Sequence, residues 1–151
     1  MYEQLELVLL HNAVEALLDK VKRFLDLTPG PGGSGMTDPL ATAEACGGLA
    51  REYGLLDGKR LLMMRVVSLC PSQQIVAHTD PPIAGIRHHA PLVVNNGCWS
   101  FHGGVWQQLE VGRVYRMAPT VMHGAVNWGH TTRLHLMVDT EEEIHVATSP
   151  D

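Results

Sequence analysis

The sequence predicts a mainly β fold, a sandwich or closed barrel, and three observations carry that expectation. Eight short apolar runs follow one another between residues 58 and 139, about one per ten residues, the spacing of an all-β domain. Turn-forming residues separate them, among them Pro81-Pro82, Asn96-Gly97, Gly103-Gly104 and Trp128-Gly129. No helical pattern alternates with the runs, so a parallel α/β sheet is not expected.

The strands are expected at 61–70, 73–77, 86–94, 98–102, 106–110, 113–117, 121–126 and 132–138. Asn96-Gly97 between two of them is a two-residue hairpin signal. Residues 1–56 read as a helical part. Leu7, Leu10, Val14, Leu17, Leu18, Val21, Phe24 and Leu25 recur at three- and four-residue steps, the apolar face of one amphipathic helix. The stretch 28–38 is dense in Gly and Pro and is expected to be a loop. Asp38 before Pro39 suits an N-cap and a first helical position, and a second helix should run to about Tyr53 and stop at Gly54. Both helices are expected to buttress the sheet from outside. The β core is taken as 58–139 and residues 140–151 as a solvated tail. At 151 residues the whole chain, 1–151, is expected to be a single domain.

Composition excludes several function classes. The net charge is −5 and no basic run exists, which argues against a nucleic-acid surface. The longest apolar stretches fall far short of the ~18 residues of a membrane span. Glu3 and Glu6 stand where a secretory signal would carry positive charge. Cys46, Cys70 and Cys98 are odd in number and without CxxC spacing, as expected of buried thiols in a reducing, cytoplasmic compartment. Histidine is the unusual residue, with nine in the chain.

His78 and Asp80 are two apart on one expected strand, so they point to the same side. An imidazole and a carboxylate so placed are two-thirds of a two-histidine, one-carboxylate triad, the set that holds Fe(II) with coordination positions left open. The pair alone is a weak signal, since roughly 0.4 such tripeptides arise by chance at this composition. His123, opening a later strand, can supply the third ligand where sheets close on one another. In the last strand Arg133, His135 and Met137 alternate with Leu134, Leu136 and Val138. An inward arginine needs a partner. Few inward acids are in sight, so a bound carboxylate, gripped bidentately, is the natural one.

Taken together, His78-Thr-Asp80, Arg87-His-His89-Ala-Pro-Leu92, His123-Gly-Ala-Val-Asn127 and Arg133-Leu-His-Leu-Met-Val-Asp139 resemble the aspartyl/asparaginyl β-hydroxylase family. The resemblance covers about residues 60–139, with four motifs in order and in spacing. It implies a double-stranded β-helix, or cupin-like jelly roll. It also implies an oxygenase that uses Fe(II), O₂ and 2-oxoglutarate as cosubstrate, and releases succinate and CO₂ as it hydroxylates an unactivated C–H bond. By resemblance, His78, Asp80 and His123 are the metal ligands. Arg133 binds one carboxylate of 2-oxoglutarate, Arg87 and His89 contact the cosubstrate's other end, and Ser68 lies where the family places a hydroxyl beside it. Trp99, Phe101 and Trp106 are candidates to line the cavity, although ordinary core is the blander reading. His11, His102, His130 and His145 are read as structural or surface residues, and Asn127 as satisfying the turn before Arg133.

The substrate expected is an amino acid or an Asp/Asn-type side chain, as a small molecule or within a peptide or protein. Arg65, Arg113 and Arg116 are available to favour an acidic one. No nucleic-acid or membrane partner is expected. A non-catalytic, cupin-like module that binds or senses a carboxylate stays open as the alternative. The complete triad speaks against it, because a pure binder has no need of all three ligands.

Overall fold

A computed structural model describes residues 1–9, 11–28 and 34–142. In chain order the elements are β1 (Glu3–Val8), α1 (His11–Phe24), β2 (Ser34–Met36), α2 (Pro39–Glu52), β3 (Leu61–Leu69), β4 (Gln74–His78), β5 (Ile86–Val93), β6 (Cys98–His102), β7 (Val105–Gln107), β8 (Arg113–Met117), β9 (His123–Asn127) and β10 (Arg133–Thr140). They form a six-stranded sheet in the order β1-β8-β5-β10-β3-β2 and a four-stranded sheet in the order β4-β9-β6-β7. Every pairing between strands is antiparallel. The fold is the double-stranded β-helix, with two added strands, β1 and β2, at the rims of the larger sheet.

Strand β10 explains the layering. All eight of its residues are buried. Leu134, Leu136 and Val138 join one apolar cluster with Met64 and Val66 of β3, Ala90 and Leu92 of β5, and Leu17 and Val21 of α1. Arg133, His135, Met137 and Asp139 take the opposite phase, because successive side chains on a strand point to opposite faces. One face of the larger sheet is therefore an apolar core under the helices, and the other is free to be polar. Leu17 and Leu136 are fully enclosed, each contributing about 2 kcal/mol of apolar transfer free energy.

The helices start and stop as their end residues dictate. The Asp38 side chain accepts a hydrogen bond from the Ala41 N–H (2.9 Å), with Pro39 at the first turn. Gly54 takes φ +79°, and the Leu55 and Gly54 N–H groups return to the carbonyls of Ala50 (2.8 Å) and Arg51 (3.2 Å). This Schellman arrangement satisfies carbonyls that the helix end leaves open. Thr37 links α2 to the sheet: its hydroxyl accepts from the Val66 N–H (2.9 Å) and meets the Thr42 hydroxyl (2.6 Å).

Four expectations are corrected. The first segment is not one helix, because residues 3–8 pair with β8 as an edge strand and α1 begins at His11. Leu5-Glu6-Leu7 already alternates with period two, and strand pairing wins over the weak helical preference. Part of the 28–38 stretch is strand, with Ser34–Met36 pairing against β3; residues 29–33 lie outside the described residues. Asn96-Gly97 turns the chain but joins no hairpin, since β5 and β6 belong to different sheets. The two-residue hairpin is Gly103-Gly104, at φ +60° and +86°, the doubly positive turn that suits the twist of β6 and β7. Finally, Thr140, expected to open the tail, belongs to β10. Residues 143–151, His145 among them, lie outside the described residues.

Packing rather than capping should dominate the helical layer. Asp38→Ala is expected to cost about 1 kcal/mol. Leu17→Ala should cost about 2–5 kcal/mol. Urea denaturation of the two variants beside the parent checks both values, and equal costs would contradict this ranking.

Candidate metal centre

The register of β4 against β9 sets His78 directly opposite His123, although 45 positions separate them in sequence. Their ring centroids are 4.4 Å apart. Asp80 does not share a strand with His78 as expected, because β4 ends at His78. Instead its N–H donates to the Pro119 carbonyl (2.9 Å), which keeps the chain leaving β4 beside the chain that enters β9. The Asp80 carboxylate then lies 3.4 Å from His78 Nε2 and 3.2 Å from His123 Nε2. One donor atom of each residue falls within 4.8 Å of the others. Gly124 permits the approach, because a Cβ there would lie 2.6 Å from the Ile75 carbonyl oxygen and 3.1 Å from Ala77.

Hydrogen bonding fixes which imidazole nitrogens face the carboxylate. His78 Nδ1 lies 2.8 Å from the Val76 carbonyl and His123 Nδ1 lies 2.7 Å from the Val121 carbonyl. A carbonyl only accepts, so both Nδ1 atoms carry protons, and in the neutral rings both Nε2 atoms carry lone pairs. Two lone pairs and a carboxylate converging on one point form an arrangement that a metal cation among them stabilises. Three protein donors of this kind on one face match the two-histidine, one-carboxylate set that suits divalent iron.

The cluster opens into a cavity of about 550 Å³ between the sheets. Met63, Val67, Ile75, Met117 and Met137 make much of its wall apolar. Three guanidinium groups, Arg65, Arg87 and Arg133, also line it, in very different states. Arg87 Nε and Nη2 donate to the two carboxylate oxygens of Asp139 at 2.8 and 2.9 Å, and Nη1 lies 3.8 Å from Asp80. Asp139 is the register partner of Arg87 across β5 and β10. Its hydrogen bonds raise the Arg87 pKa and keep the group charged.

Arg133 has no such partner. It is 3 % exposed, its Nε makes no hydrogen bond, and no carboxylate among the described residues pairs with it. Burial pushes its pKa down, opposed by Tyr2 and Cys98 nearby. An unpaired buried charge costs several kcal/mol, a cost that a bound anion would offset. Its neighbours avoid adding charge. Burial, then the Arg133 and Arg87 charges, push the His89 pKa down to about 3, and burial and Arg133 hold His135 well below its usual range. Both rings are therefore neutral, with their Nδ1 atoms 3.3 Å apart.

Most of the residues expected at the site meet here: His78, Asp80, His123, Arg87, His89 and Arg133 all line one cavity. Ser68 does not. Its even-numbered phase on β3 carries it to the opposite face, into a separate crevice with Gly35 and Thr37, and Val67 takes the cavity side. The cosubstrate contact expected of Ser68 is therefore withdrawn. Trp99, Phe101 and Trp106 do not line the cavity: Trp99 and Phe101 alternate with Cys98, Ser100 and His102, which hold the inward phase of β6, and Trp106 stands 51 % exposed on β7. The Asn127 amide donates to the carbonyls of Leu69 and Thr131, both at 2.9 Å, and so fixes the turn that delivers Arg133.

The sequence profile described as Aspartyl/Asparaginyl beta-hydroxylase matches residues 41–143, more than half of the chain. The chain belongs to the aspartyl/asparaginyl β-hydroxylase family. Among curated proteins none matches in sequence. Similar solved structures include HygX from Streptomyces hygroscopicus, with nickel, 2-oxoglutarate and hygromycin B bound, at TM-score 0.70 and 13 % identity over 95 % of this chain and 83 % of that one. A prolyl-4-hydroxylase of Pseudomonas putida matches at TM-score 0.62 and 16 % identity, over 95 % and 93 %. The viral collagen prolyl hydroxylase of Paramecium Bursaria Chlorella virus-1, a 2-oxoglutarate complex, matches at 0.61 and 11 %, over 95 % and 96 %. These likenesses establish the jelly-roll fold. No described helix of this family member is long and apolar enough to cross a membrane.

Three residues of the site escaped the sequence reading. Asp139 shares the inward phase of Arg133, and that phase was the available signal. Gly124, beside His123, had no signal beyond being glycine. Tyr2 lines the cavity, with its ring edge-on to His89 at 5.9 Å and its hydroxyl at the Ser100 side chain. It was hidden because the first segment read as helix.

The buried neutral histidines set a pH dependence. In the folded chain His89 is pushed down to about 3 and His135 well below its usual range, so the unfolded state binds more protons as pH falls below about 6.5, for His89 down to about pH 3. Their stabilising effect is complete above about pH 6.5 and is lost as pH falls through that window. Urea midpoints in chelator should fall from pH 7.5 to pH 5, and His135→Gln should flatten the decline. Gly124→Ala is expected to weaken Fe(II) binding about tenfold with the fold retained, read by anaerobic metal titration and circular dichroism.

Proposed function

We propose that this chain is an Fe(II)- and 2-oxoglutarate-dependent oxygenase that hydroxylates an unactivated C–H bond and releases succinate and CO₂. The observation that carries the reading is Arg133, a buried guanidinium without a carboxylate partner, in the same cavity as the convergent His78, Asp80 and His123. Those three residues would hold Fe(II). Bound there with 2-oxoglutarate and O₂, the metal supplies an oxidant strong enough to take hydrogen from an aliphatic carbon.

The remaining residues bind and orient. Arg133 receives one carboxylate of 2-oxoglutarate and compensates its own burial by doing so. His89, neutral beside it, offers a hydrogen bond without adding a competing charge. Arg87, clamped by Asp139, turns Nη1 toward Asp80 and steadies that carboxylate at the cosubstrate's other end. The methionine, valine and isoleucine walls exclude water from the reacting groups. Membership of the family supports this assignment, as do the nickel and 2-oxoglutarate bound in HygX. The substrate belongs to the small-molecule or peptide classes that such a cavity admits.

Anaerobic addition of Fe(II) and then 2-oxoglutarate should produce a visible charge-transfer band. The band should vanish in His123→Ala and in His78→Ala. Arg133→Ala should keep Fe(II) binding and raise the 2-oxoglutarate midpoint about 10–100-fold, the loss of one charge-assisted contact. Fe(II) binding without a band in the parent protein would refute the oxygenase reading and favour a non-catalytic carboxylate-binding module.

A further inference from the structure

Of the three arginines on the cavity wall, Arg65 is the one that the proposed chemistry leaves without a task. Arg87 is neutralised bidentately by Asp139, and Arg133 faces the anion site. Arg65 sits on β3 in the cavity-facing phase with Met63 and Val67, opposite Met137 of β10. Among the described residues its guanidinium has one hydrogen-bonding contact, Nη1 to the Met36 thioether at 3.7 Å, a weak acceptor, and no carboxylate reaches it. Arg113 and Arg116 do not compete for this position. Arg113 lies 3.8 Å from Glu110, and Arg116 borders a different cavity.

The surroundings narrow what Arg65 would meet. Met36, Met63 and Met137 stand around it, and Ile75 closes the wall from the smaller sheet. Methionine side chains are apolar and adaptable, and suit an aliphatic body of variable shape. Among the described residues, Asp80 is the one carboxylate that lines the cavity, and the proposed metal site uses it. An ammonium group on the substrate would find no counter-charge there, and burying it unpaired would be costly.

We infer that Arg65 and its methionine collar form the substrate subsite, and that the substrate is a small carboxylic acid with an apolar body and no ammonium group. This inference rests on the oxygenase reading of the same cavity. It departs from the expectation from sequence, because a free amino acid carries an ammonium group and an Asp or Asn side chain lacks the apolar body. The carboxylate pairs with Arg65, and the aliphatic chain lies along the methionines toward the metal cluster.

The test uses the full chain with Fe(II) and 2-oxoglutarate, and compares octanoate and N-acetyl-L-leucine with octanamide, N-acetyl-L-leucinamide and free L-leucine. The acids should perturb the anaerobic charge-transfer band and, with O₂, raise succinate formation at least fivefold over the rate without substrate. The amides and free leucine should do neither. Arg65→Met should raise the KM for the active acid at least tenfold, and Arg65→Lys should recover part of it. In Arg65→Met the 2-oxoglutarate midpoint of the band should stay within about twofold of the parent. Equal response to acid and amide, response to leucine alone, or no response to any acid would overturn the inference. So would an Arg65→Met midpoint shifted as far as that of Arg133→Ala, which would place Arg65 in the cosubstrate site. A parent protein that binds Fe(II) but shows no band would instead bring down the oxygenase reading itself.

Discussion

Strand β9 pairs with β4 on one side and β6 on the other, and the convergence of His78, Asp80 and His123 depends on that register. A slip of one residue would send every side chain of β9 to the other face and remove His123 from the cavity. The register is secured from several directions. Gly124 lets the β4 backbone come close, the Asp80 N–H reaches the Pro119 carbonyl, and Asn127 fastens the end of the strand to Leu69 and Thr131. These are backbone and packing constraints, yet their product is chemical: two imidazoles and a carboxylate sharing one point.

Charge governs the rest of the cavity. A low-dielectric interior strengthens every uncompensated charge. The protein limits the number by neutralising Arg87 with Asp139 and by keeping His89 and His135 uncharged. What stays is one buried guanidinium, Arg133, and one half-buried at the methionine end, Arg65. The cavity thus carries uncompensated guanidinium groups at two separate places, with the His78, Asp80 and His123 side chains as a third fixed element.

The two faces of the larger sheet divide the labour. The face toward α1 and α2 is apolar and supplies the stability that holds β10 in place. The face toward the smaller sheet can then carry arginines and histidines at a cost the core offsets. β10 belongs to both, and this is why its residues are uniformly buried while their chemistry alternates.

Period-two alternation on β10, the Asp38-Pro39 start, the Gly54 stop and the strand spacing were all legible in the sequence, because each is a property of neighbouring residues. The same locality let His78 and Asp80 be paired, and the family motifs extended that to His123 and Arg133. Long-range pairing was not legible. The sequence could not show that residues 3–8 leave the helix to join β8, that Asn96-Gly97 crosses between sheets while Gly103-Gly104 makes the hairpin, or that Ser68 faces away. Nor could it show that Asp139 occupies Arg87 and leaves Arg65 uncompensated. Which charge meets which partner is set by the register between strands far apart in the chain, and only the folded sheets define that register.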